Sequence, residues 1–338
     1  MSLPVDLGRW LVRQYHHNRR RAYEAGKQVV VDGEGSIYSA GALLRGRKGT
    51  KPLVVFGCDV DEGGLFRSLR DNDLYWVTYS GLSVPPRASD AEAICQLWWE
   101  EGCDSFIAMG SGDVLDVVKA AAACAAGRGR ALKDMAGYGK LPRRKTPVIV
   151  AIPTEAGSGR ESLARVYIHG EADEWLCLAG RSLTPDIVVQ DPAFLERASR
   201  VNVAEAGMDG LCRAVEAYLS PGKGEDLVRA MAADAVKGFL ANLEPCWNHG
   251  GTVDQRIGLM EASRLAGISA SSLGYGYVRV MARAVTDVTG LEFGAVCSVL
   301  LPYVLEKYGS DAREKLARLA EVSGVMTGGA RSSELLHL

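Results

Sequence analysis

The second half of the chain contains two pairs of charged residues, and the members of each pair are about one helical turn apart. Asp209 precedes Arg213 by four residues, and Arg279 precedes Arg283 by four. Side chains at this spacing share a helical face, and two arginines so placed repel each other unless an anion lies between them. Guanidinium groups bind carboxylates and phosphates through paired N–H donors. The set predicts a site that binds a small anion and polarises its carbonyl oxygen, or alternatively a structural arginine–aspartate ion pair without catalysis.

A glycine-rich turn in the first half has the composition of a phosphate site. Gly110, Ser111, Gly112 and Asp113 follow the apolar run Ser105–Met109 and begin a helical pattern. Glycines let the backbone approach a phosphate closely, and a helix N-terminus offers unpaired N–H groups and a positive dipole. The same composition is also typical of a plain structural turn, so both interpretations stay open.

Ordered motifs in both halves resemble the iron-containing alcohol dehydrogenase family. Residues 110–119 resemble its Gly-Gly-Gly-Ser-x-x-Asp-x-x-Lys, and residues 153–161 its Pro-Thr-Thr-Ala-Gly-Thr-Gly-Ser-Glu. Residues 183–192 match Leu-x-Pro-x-x-x-x-x-Asp-Pro, and 207–220 resemble Gly-Met-Asp-Ala-Leu-x-His-Ala-x-Glu-Ala-Tyr-x-Ser. Residues 274–302 resemble Gly-Leu-Gly-x-x-His-Ala-x-Ala-His, Pro-His-Gly and Leu-Leu-Pro.

In the first half, the resemblance implies NAD or NADP as cofactor. The residues that it assigns to cofactor binding are Gly57, Gly110, Ser111, Gly112, Asp113, Asp116, Lys119, Thr154 and Ser158. Gly57 stands where NAD-preferring members often carry an acidic residue and Asp59 lies two places on, so the choice between NAD and NADP stays open. Asp113 replaces the serine of the turn, and Asp113→Ser is expected to tighten NAD(P)H binding by about 1 kcal/mol, or more if the carboxylate is poorly solvated.

In the second half, the resemblance implies a metal site that has lost its histidines. Arg213, Arg279, Arg283 and Phe293 stand at histidine positions of the family pattern, and Asp209 is the one metal ligand kept. One carboxylate provides too few ligands for Fe²⁺ or Zn²⁺. We therefore expect no metal, and we take Asp209 and the three arginines as the candidate catalytic residues.

General acids are harder to assign. Tyr275, Tyr277 and Asp287 lie in or near the second motif. Tyrosines beside glycines often pack over them, so a structural role is the better interpretation of each.

The positioning elements follow from hydrophobic patterning. In the first half, β-rich runs alternate with helical patterns, which predicts a parallel sheet with helices on both faces. Strands are predicted at Val29–Val31, Leu53–Phe56, Tyr75–Tyr79, Ser105–Met109 and Val148–Ile152, a helix capped by Ser89 over 91–101, and a hairpin of Leu163–Ile168 with Trp175–Ala179 beside the sheet. Helices follow at 203–220, 225–243, 253–270, 276–289, 296–308 and 311–323, and a mobile loop is predicted at 266–276.

The predicted fold is therefore α/β. It comprises a Rossmann-like dinucleotide-binding domain over residues 1–192 and an all-helical domain over 193–338 with a degenerate metal site.

Composition limits the partners. With 47% hydrophobic and 24% charged residues, the chain is typical of a soluble globular protein, and it has no apolar run long enough to span a bilayer. A formal net charge of −2 argues against a nucleic-acid partner. The eight cysteines include no Cys-x-x-Cys pair and follow no secretory signal, which favours the cytoplasm. We expect a small anionic substrate and no membrane partner, and a homodimer stays open.

These observations favour a metal-independent NAD(P)-linked oxidoreductase acting on a small anionic carbonyl or alcohol compound. Maleylacetate reductases, a branch of the same superfamily, are implied to work without the metal. A catalytically silent homologue and a non-redox lyase remain alternatives. Sugar-phosphate chemistry similar to that of dehydroquinate synthase is a third, weaker alternative, because it also requires metal-binding histidines. Substrate identity and reaction direction stay open, as does the completeness of a C-terminus that ends earlier than in family members.

Overall fold

The computed structural model describes residues 28–57, 61–83, 85–172, 174–221, 226–274 and 276–325. Asp59 and Tyr275 lie outside the described residues. The described chain divides into two compact units. The sheet unit runs through Glu155 and continues over Arg160–Phe194, whereas the helical unit combines Ala156–Gly159 with the chain from Leu195 onward.

Six parallel strands form the main sheet of the sheet unit, in the order β1-β9-β6-β4-β2-β3. Their bounds are β1 Val29–Asp32, β2 Pro52–Phe56, β3 Val77–Tyr79, β4 Ser105–Gly110, β6 Val148–Pro153 and β9 Ile187–Gln190. The predicted strands are present, although β3 is shorter than predicted. Strand β9 was missed, because its apolar run lies within the segment that was interpreted only as a family motif.

Side chains alternate between the two faces of this sheet, as the two-residue period of a strand requires. Leu53 and Val55 of β2 belong to one apolar core, and Val54 belongs to another with Leu65 and Leu69. Both faces are therefore buried, which explains why the central strands are continuous apolar runs.

Helices cover both faces of the main sheet. They are α1 Ala40–Gly46, α2 Gly63–Asp71, α3 Ala88–Glu100, α4 Gly112–Ala126 and the short α5 Leu132–Met135 and α6 Ala193–Glu196, of which α6 crosses the boundary of the unit. The prediction of Ser89 as a cap was wrong. Ser89 lies inside α3, and the Arg87 amide donates instead to Asp90 Oδ2 at 2.7 Å.

The predicted hairpin exists but belongs to a separate sheet. Strands β7 (Arg165–His169) and β8 (Trp175–Ala179) are antiparallel, and β8 also pairs with the short β5 (Gly137–Tyr138). The three strands form their own sheet, so the hairpin is not an extension of the six-stranded one.

Long helices build the helical unit. They are α7 Arg200–Leu219, α8 Asp226–His249, α9 Val253–Leu273, α10 Tyr277–Thr289, α11 Phe293–Lys307 and α12 Ser310–Val322. The described elements confirm the predicted combination of a parallel-sheet N-terminal part and a helical C-terminal part. No helix in the described part of the chain is long and apolar enough to cross a membrane.

The mobile loop predicted at 266–276 was wrong for most of its length. Residues 266–273 are the buried end of α9. Their small side chains permit close packing of the 156–159 segment, in which the Gly157 and Gly159 amides donate to Ser263 Oγ at 2.9 and 3.1 Å. Gly159 has a φ of +63° and approaches the backbone of Gly267, so a side chain does not fit there.

Candidate active site

An ion cluster of Asp209, Arg213 and Arg279 occupies the position that sequence comparison assigned to the metal. Asp209 and Arg213 lie one turn apart on α7, and Arg279 reaches them from α10. Asp209 Oδ1 pairs with Arg279 Nη1, and Asp209 Oδ2 lies 3.7 Å from Arg213 Nη2. All three residues are buried. Two guanidinium groups therefore share one carboxylate.

The ring of Phe293 connects this cluster to Arg283. The Cζ atoms of Arg279 and Arg283 lie 4.9 and 4.8 Å from the centre of the Phe293 ring. Cations at this distance are attracted by the negative face of an aromatic ring. Arg213 and Arg279 therefore meet at Asp209, whereas Arg279 and Arg283 meet at Phe293.

A divalent metal ion does not fit this arrangement. Both oxygens of Asp209 face guanidinium groups, so neither is available to coordinate a cation. The described part of the chain contains no group of three or more His, Cys, Asp or Glu side chains that could hold one. No step of the chemistry proposed below uses a metal.

Two carboxylates that sequence analysis missed position these helices. Glu216 on α7 accepts a hydrogen bond from the Val278 amide at 2.7 Å, at the start of α10. Glu205 accepts from the Gly294 and Ala295 amides at 2.9 and 3.2 Å, at the start of α11. Each therefore supplies a helix N-terminus with the acceptor that it needs and fixes the segment that presents Arg279 or Phe293. An acidic residue within the buried stripe of α7 was the available signal for Glu216.

The buried Glu216 makes stability depend on pH. Burial raises the pKa of Glu216 to about 7, although hydrogen bonds from the Val278 and Gly276 amides act to lower it. Because the folded-state pKa lies above that of an unfolded glutamate, the stabilising contribution is complete below about pH 4.5 and is lost as pH rises to about 7. Between pH 4.5 and 8, we expect the free energy of unfolding to fall by about 3 kcal/mol through this group.

Urea denaturation of Glu216→Gln at several pH values tests this, because glutamine removes the titration. The variant should show a flatter pH profile than the wild type, whereas the exposed control Glu321→Gln should keep the wild-type profile. Parallel profiles for Glu216→Gln and the wild type would contradict the assignment.

The predicted cofactor residues Gly57, Gly110 and Thr154 meet at the carboxyl ends of three adjacent strands. The Gly57 amide donates to the Met109 carbonyl and the Thr154 amide to the Gly110 carbonyl, each at 3.1 Å. Gly110 has a φ of +155°, and an added Cβ would lie 2.8 Å from a Val114 methyl carbon. The carboxyl edge of a parallel sheet is where open α/β folds bind ligands.

Beyond Gly110, the turn is in contact with a carboxylate of the chain itself. Ser111 precedes α4 with extended backbone and no side-chain capping bond, and the Gly112 amide donates to Glu155 Oε1 at 2.8 Å. Asp113 forms an ion pair with Arg160, which also lies 3.4 Å from Asp116. Glu155 and Arg160 stand where the family pattern for residues 153–161 has threonine and serine, and no role was predicted for either residue.

Asp116 and Lys119 form hydrogen bonds to other segments of the chain near the glycine turn. Lys119 is fully buried and donates to Asp116 at 2.9 Å and to the carbonyls of Arg160 and Arg165 at 3.1 and 2.6 Å. Asp116 in turn accepts from the Tyr167 amide at 3.1 Å. These hydrogen bonds hold the segment after the glycine turn, and the cofactor-binding role of Asp116 and Lys119 stays a prediction.

The hydroxyl residues differ in exposure. Thr154 is partly exposed beside the turn, whereas Ser158 is buried in the segment that packs on α9. Of the candidate general acids, the described Tyr277 packs beside Tyr308 with ring centres 6.2 Å apart, and its amide donates to the Tyr308 hydroxyl at 3.0 Å. Asp287 is exposed near the end of α10.

A parallel sheet with a glycine turn at its carboxyl edge belongs to the class of α/β folds that bind ligands at that edge, and here the chain continues into a helical unit. Two family models match the chain, "Iron-containing alcohol dehydrogenase" over residues 28–192 and "Fe-containing alcohol dehydrogenase family, C-terminal" over residues 203–336. The chain therefore belongs to the iron-containing alcohol dehydrogenase family.

Individual relatives agree with this membership. The chain is 27% identical over 322 residues to an NAD-dependent methanol dehydrogenase of Bacillus methanolicus, covering 91% of this chain and 83% of that protein. It is 31% identical over 296 residues to a probable alcohol dehydrogenase, EutG, of Salmonella typhimurium, covering 86% and 74%. A crystal structure of 1,3-propanediol oxidoreductase superposes with a TM-score of 0.86 at 25% identity, covering 91% and 81%. These similarities support an alcohol-dehydrogenase-like oxidoreductase.

Proposed function

We propose that the chain is a metal-independent NAD(P)-linked oxidoreductase that acts on a small anionic carbonyl or alcohol compound. The observation that carries this proposal is the convergence of Arg279 and Arg283 on Phe293, with Arg213 and Arg279 held by Asp209. Family membership supplies the redox part of the proposal, since the matched relatives include an NAD-dependent dehydrogenase.

The arginines would replace the electrostatic role of a metal ion. When a carbonyl compound is reduced, negative charge develops on its oxygen, and N–H donors that are already fixed in place stabilise that charge without reorganisation. Phe293 and Asp209 limit the motion of Arg279, which favours this role. A carboxylate on the substrate would bind the partly buried Arg283 through paired hydrogen bonds.

Hydride and proton come from different sources. A nicotinamide cofactor held at the glycine turn of Gly110 and Gly112 would supply the hydride that reduces the carbonyl carbon. Arginine keeps its proton at neutral pH, so the new alcohol oxygen would take its proton from water. The glycine turn lies at a helix N-terminus, which favours an anion such as a pyrophosphate, and the Gly112 amide would become available to it once Glu155 moved away.

Substitution of Arg283 gives the most direct test of the anion-binding role. Arg283→Met removes the cation and its paired donors, so we expect kcat/KM for glyoxylate, a small anionic carbonyl, to fall about 10- to 100-fold. The neutral acetaldehyde should lose much less, and the exposed control Arg318→Met should behave as the wild type. Assays use chelator-treated protein with NADH and with NADPH.

An equal loss for both substrates would contradict the anion-binding role. Loss of all activity on chelation, with recovery on adding Fe²⁺ or Zn²⁺, would contradict the metal-independent mechanism.

A catalytically silent homologue is the second candidate. Two observations favour it: Asp209 is engaged by two guanidinium groups, and Glu155 holds an amide of the glycine turn. If that candidate is right, the wild type should not oxidise or reduce a nicotinamide with any small alcohol or carbonyl compound. A variant in which Glu155 no longer binds the Gly112 amide should be equally inactive.

A further inference from the structure

Glu155 binds the N-terminus of α4 with a charge of the same sign as a phosphate. α4 is a helix of 15 residues whose first residue is Gly112. Its amide donates to Glu155 Oε1 at 2.8 Å, across 43 residues of sequence. The N-terminus of such a helix attracts anions through its unpaired N–H groups and its dipole. In this chain, the carboxylate of Glu155 is the anion.

The surroundings hold Glu155 in place. On one side, the Thr154 amide donates to the Gly110 carbonyl at 3.1 Å and so fixes the start of the loop. On the other side, Arg160 pairs with Asp113 and lies 3.4 Å from Asp116, which fixes the loop to α4. The loop that brings Glu155 to Gly112 is therefore anchored at both ends within the sheet unit.

A simple capping role does not require a glutamate at this position. Threonine or serine supplies an acceptor to a helix N-terminus without burying a charge. Glutamate at this position buries part of a carboxylate, and burial raises its pKa above the ordinary value despite the Gly112 hydrogen bond. The family pattern has threonine here, as the sequence motif shows.

We propose that Glu155 determines the ligand specificity of the glycine turn, because its carboxylate occupies the place at Gly112 that a cofactor pyrophosphate would take. A dinucleotide binds only after Glu155 has moved away from the Gly112 amide, and its affinity is correspondingly low. This inference rests on the proposed function in one respect, since it takes a nicotinamide dinucleotide as the ligand of the turn.

Titration of the fluorescence of NADH and NADPH with wild type, Glu155→Thr and Glu155→Gln tests the proposal. Glu155→Thr removes the carboxylate that reaches the Gly112 amide. Glu155→Gln keeps the shape of the side chain and removes its charge. We expect Glu155→Thr to tighten NADH binding by at least about tenfold and Glu155→Gln to tighten it less. The exposed control variants Glu171→Thr and Glu171→Gln should bind as the wild type.

Asp113→Ser should have a smaller effect than Glu155→Thr, because Arg160 already pairs with Asp113. This ion pair reduces the gain that sequence analysis alone predicted for Asp113→Ser.

Inorganic pyrophosphate is a second probe that does not depend on redox chemistry. It should raise the melting temperature of Glu155→Thr more than that of the wild type. If Glu155→Thr does not fold, the isosteric Glu155→Gln decides. Folded variants that bind NADH and pyrophosphate no more tightly than the wild type would overturn the inference.

The two proposals fail in different ways. Tight NADH binding by Glu155→Thr without any turnover would support this inference and reject the oxidoreductase. Turnover by the wild type with NADH affinity unchanged in Glu155→Thr would reject this inference and leave the oxidoreductase standing.

Discussion

Replacing Asp209 with alanine is expected to lower the free energy of unfolding by about 3–5 kcal/mol. Asp209 is the carboxylate shared by Arg213 and Arg279, and all three side chains are at least nine-tenths buried. Removing one partner of a buried ion pair leaves charge in a place of low polarity, where water cannot solvate it fully. Urea denaturation at neutral pH measures the change.

A matched control is available in the sheet unit. Arg67 and Asp71 are also four residues apart and paired at 3.7 Å, but their side chains are 70% and 63% exposed. Asp71→Ala should therefore change the free energy of unfolding by less than about 1 kcal/mol. A triple variant with Asp209→Leu, Arg213→Met and Arg279→Met should recover much of the stability lost in Asp209→Ala, because apolar groups carry no desolvation penalty.

The triple variant separates two explanations of a loss. If the apolar triple variant is as unstable as Asp209→Ala, packing rather than charge causes the loss. A loss in Asp209→Ala no larger than in Asp71→Ala would show that the ion cluster does not stabilise the helical unit.

Restoring histidine at Arg213, Arg279 and Phe293 is expected to create a metal site. These positions match histidines in the family pattern, and Arg279 contacts both Asp209 and the ring of Phe293. With Asp209, three imidazoles complete the four ligands that Zn²⁺ prefers. We expect the triple variant to bind one Zn²⁺ per chain at least about 100-fold more tightly than the wild type.

Competition with a chromogenic chelator measures this affinity. The same triple variant carrying Asp209→Asn is the control, and it should lose most of the gain because it lacks the anionic ligand. A folded triple variant with Zn²⁺ affinity equal to that of the wild type would show that the four positions do not converge closely enough for coordination.

The architecture could be predicted because its signals are local. β2, β4 and β6 are short runs rich in β-branched residues, and the helical unit has the apolar spacing of helices, so period and propensity determine these elements. The short strand β9 was missed because its apolar run lies within residues 183–192, which were interpreted only as a family motif. The loop prediction at 266–276 was wrong because small residues were taken to indicate flexibility. In α9 these small residues instead allow the 156–159 segment to pack closely.

The sequence by itself also determined the family, because membership depends only on which residue types stand at which spacing. Only the tertiary structure decided which groups meet. Glu155 reaches Gly112 across 43 residues, and Glu216 reaches Val278 across 62. Asp209 pairs with Arg279 from another helix, and Phe293 lies beneath two arginines. A spacing pattern fixes the face on which a side chain lies, but its partner on a distant segment depends on how the helices and strands pack, and that partner sets charge, pKa and ligand access at the site.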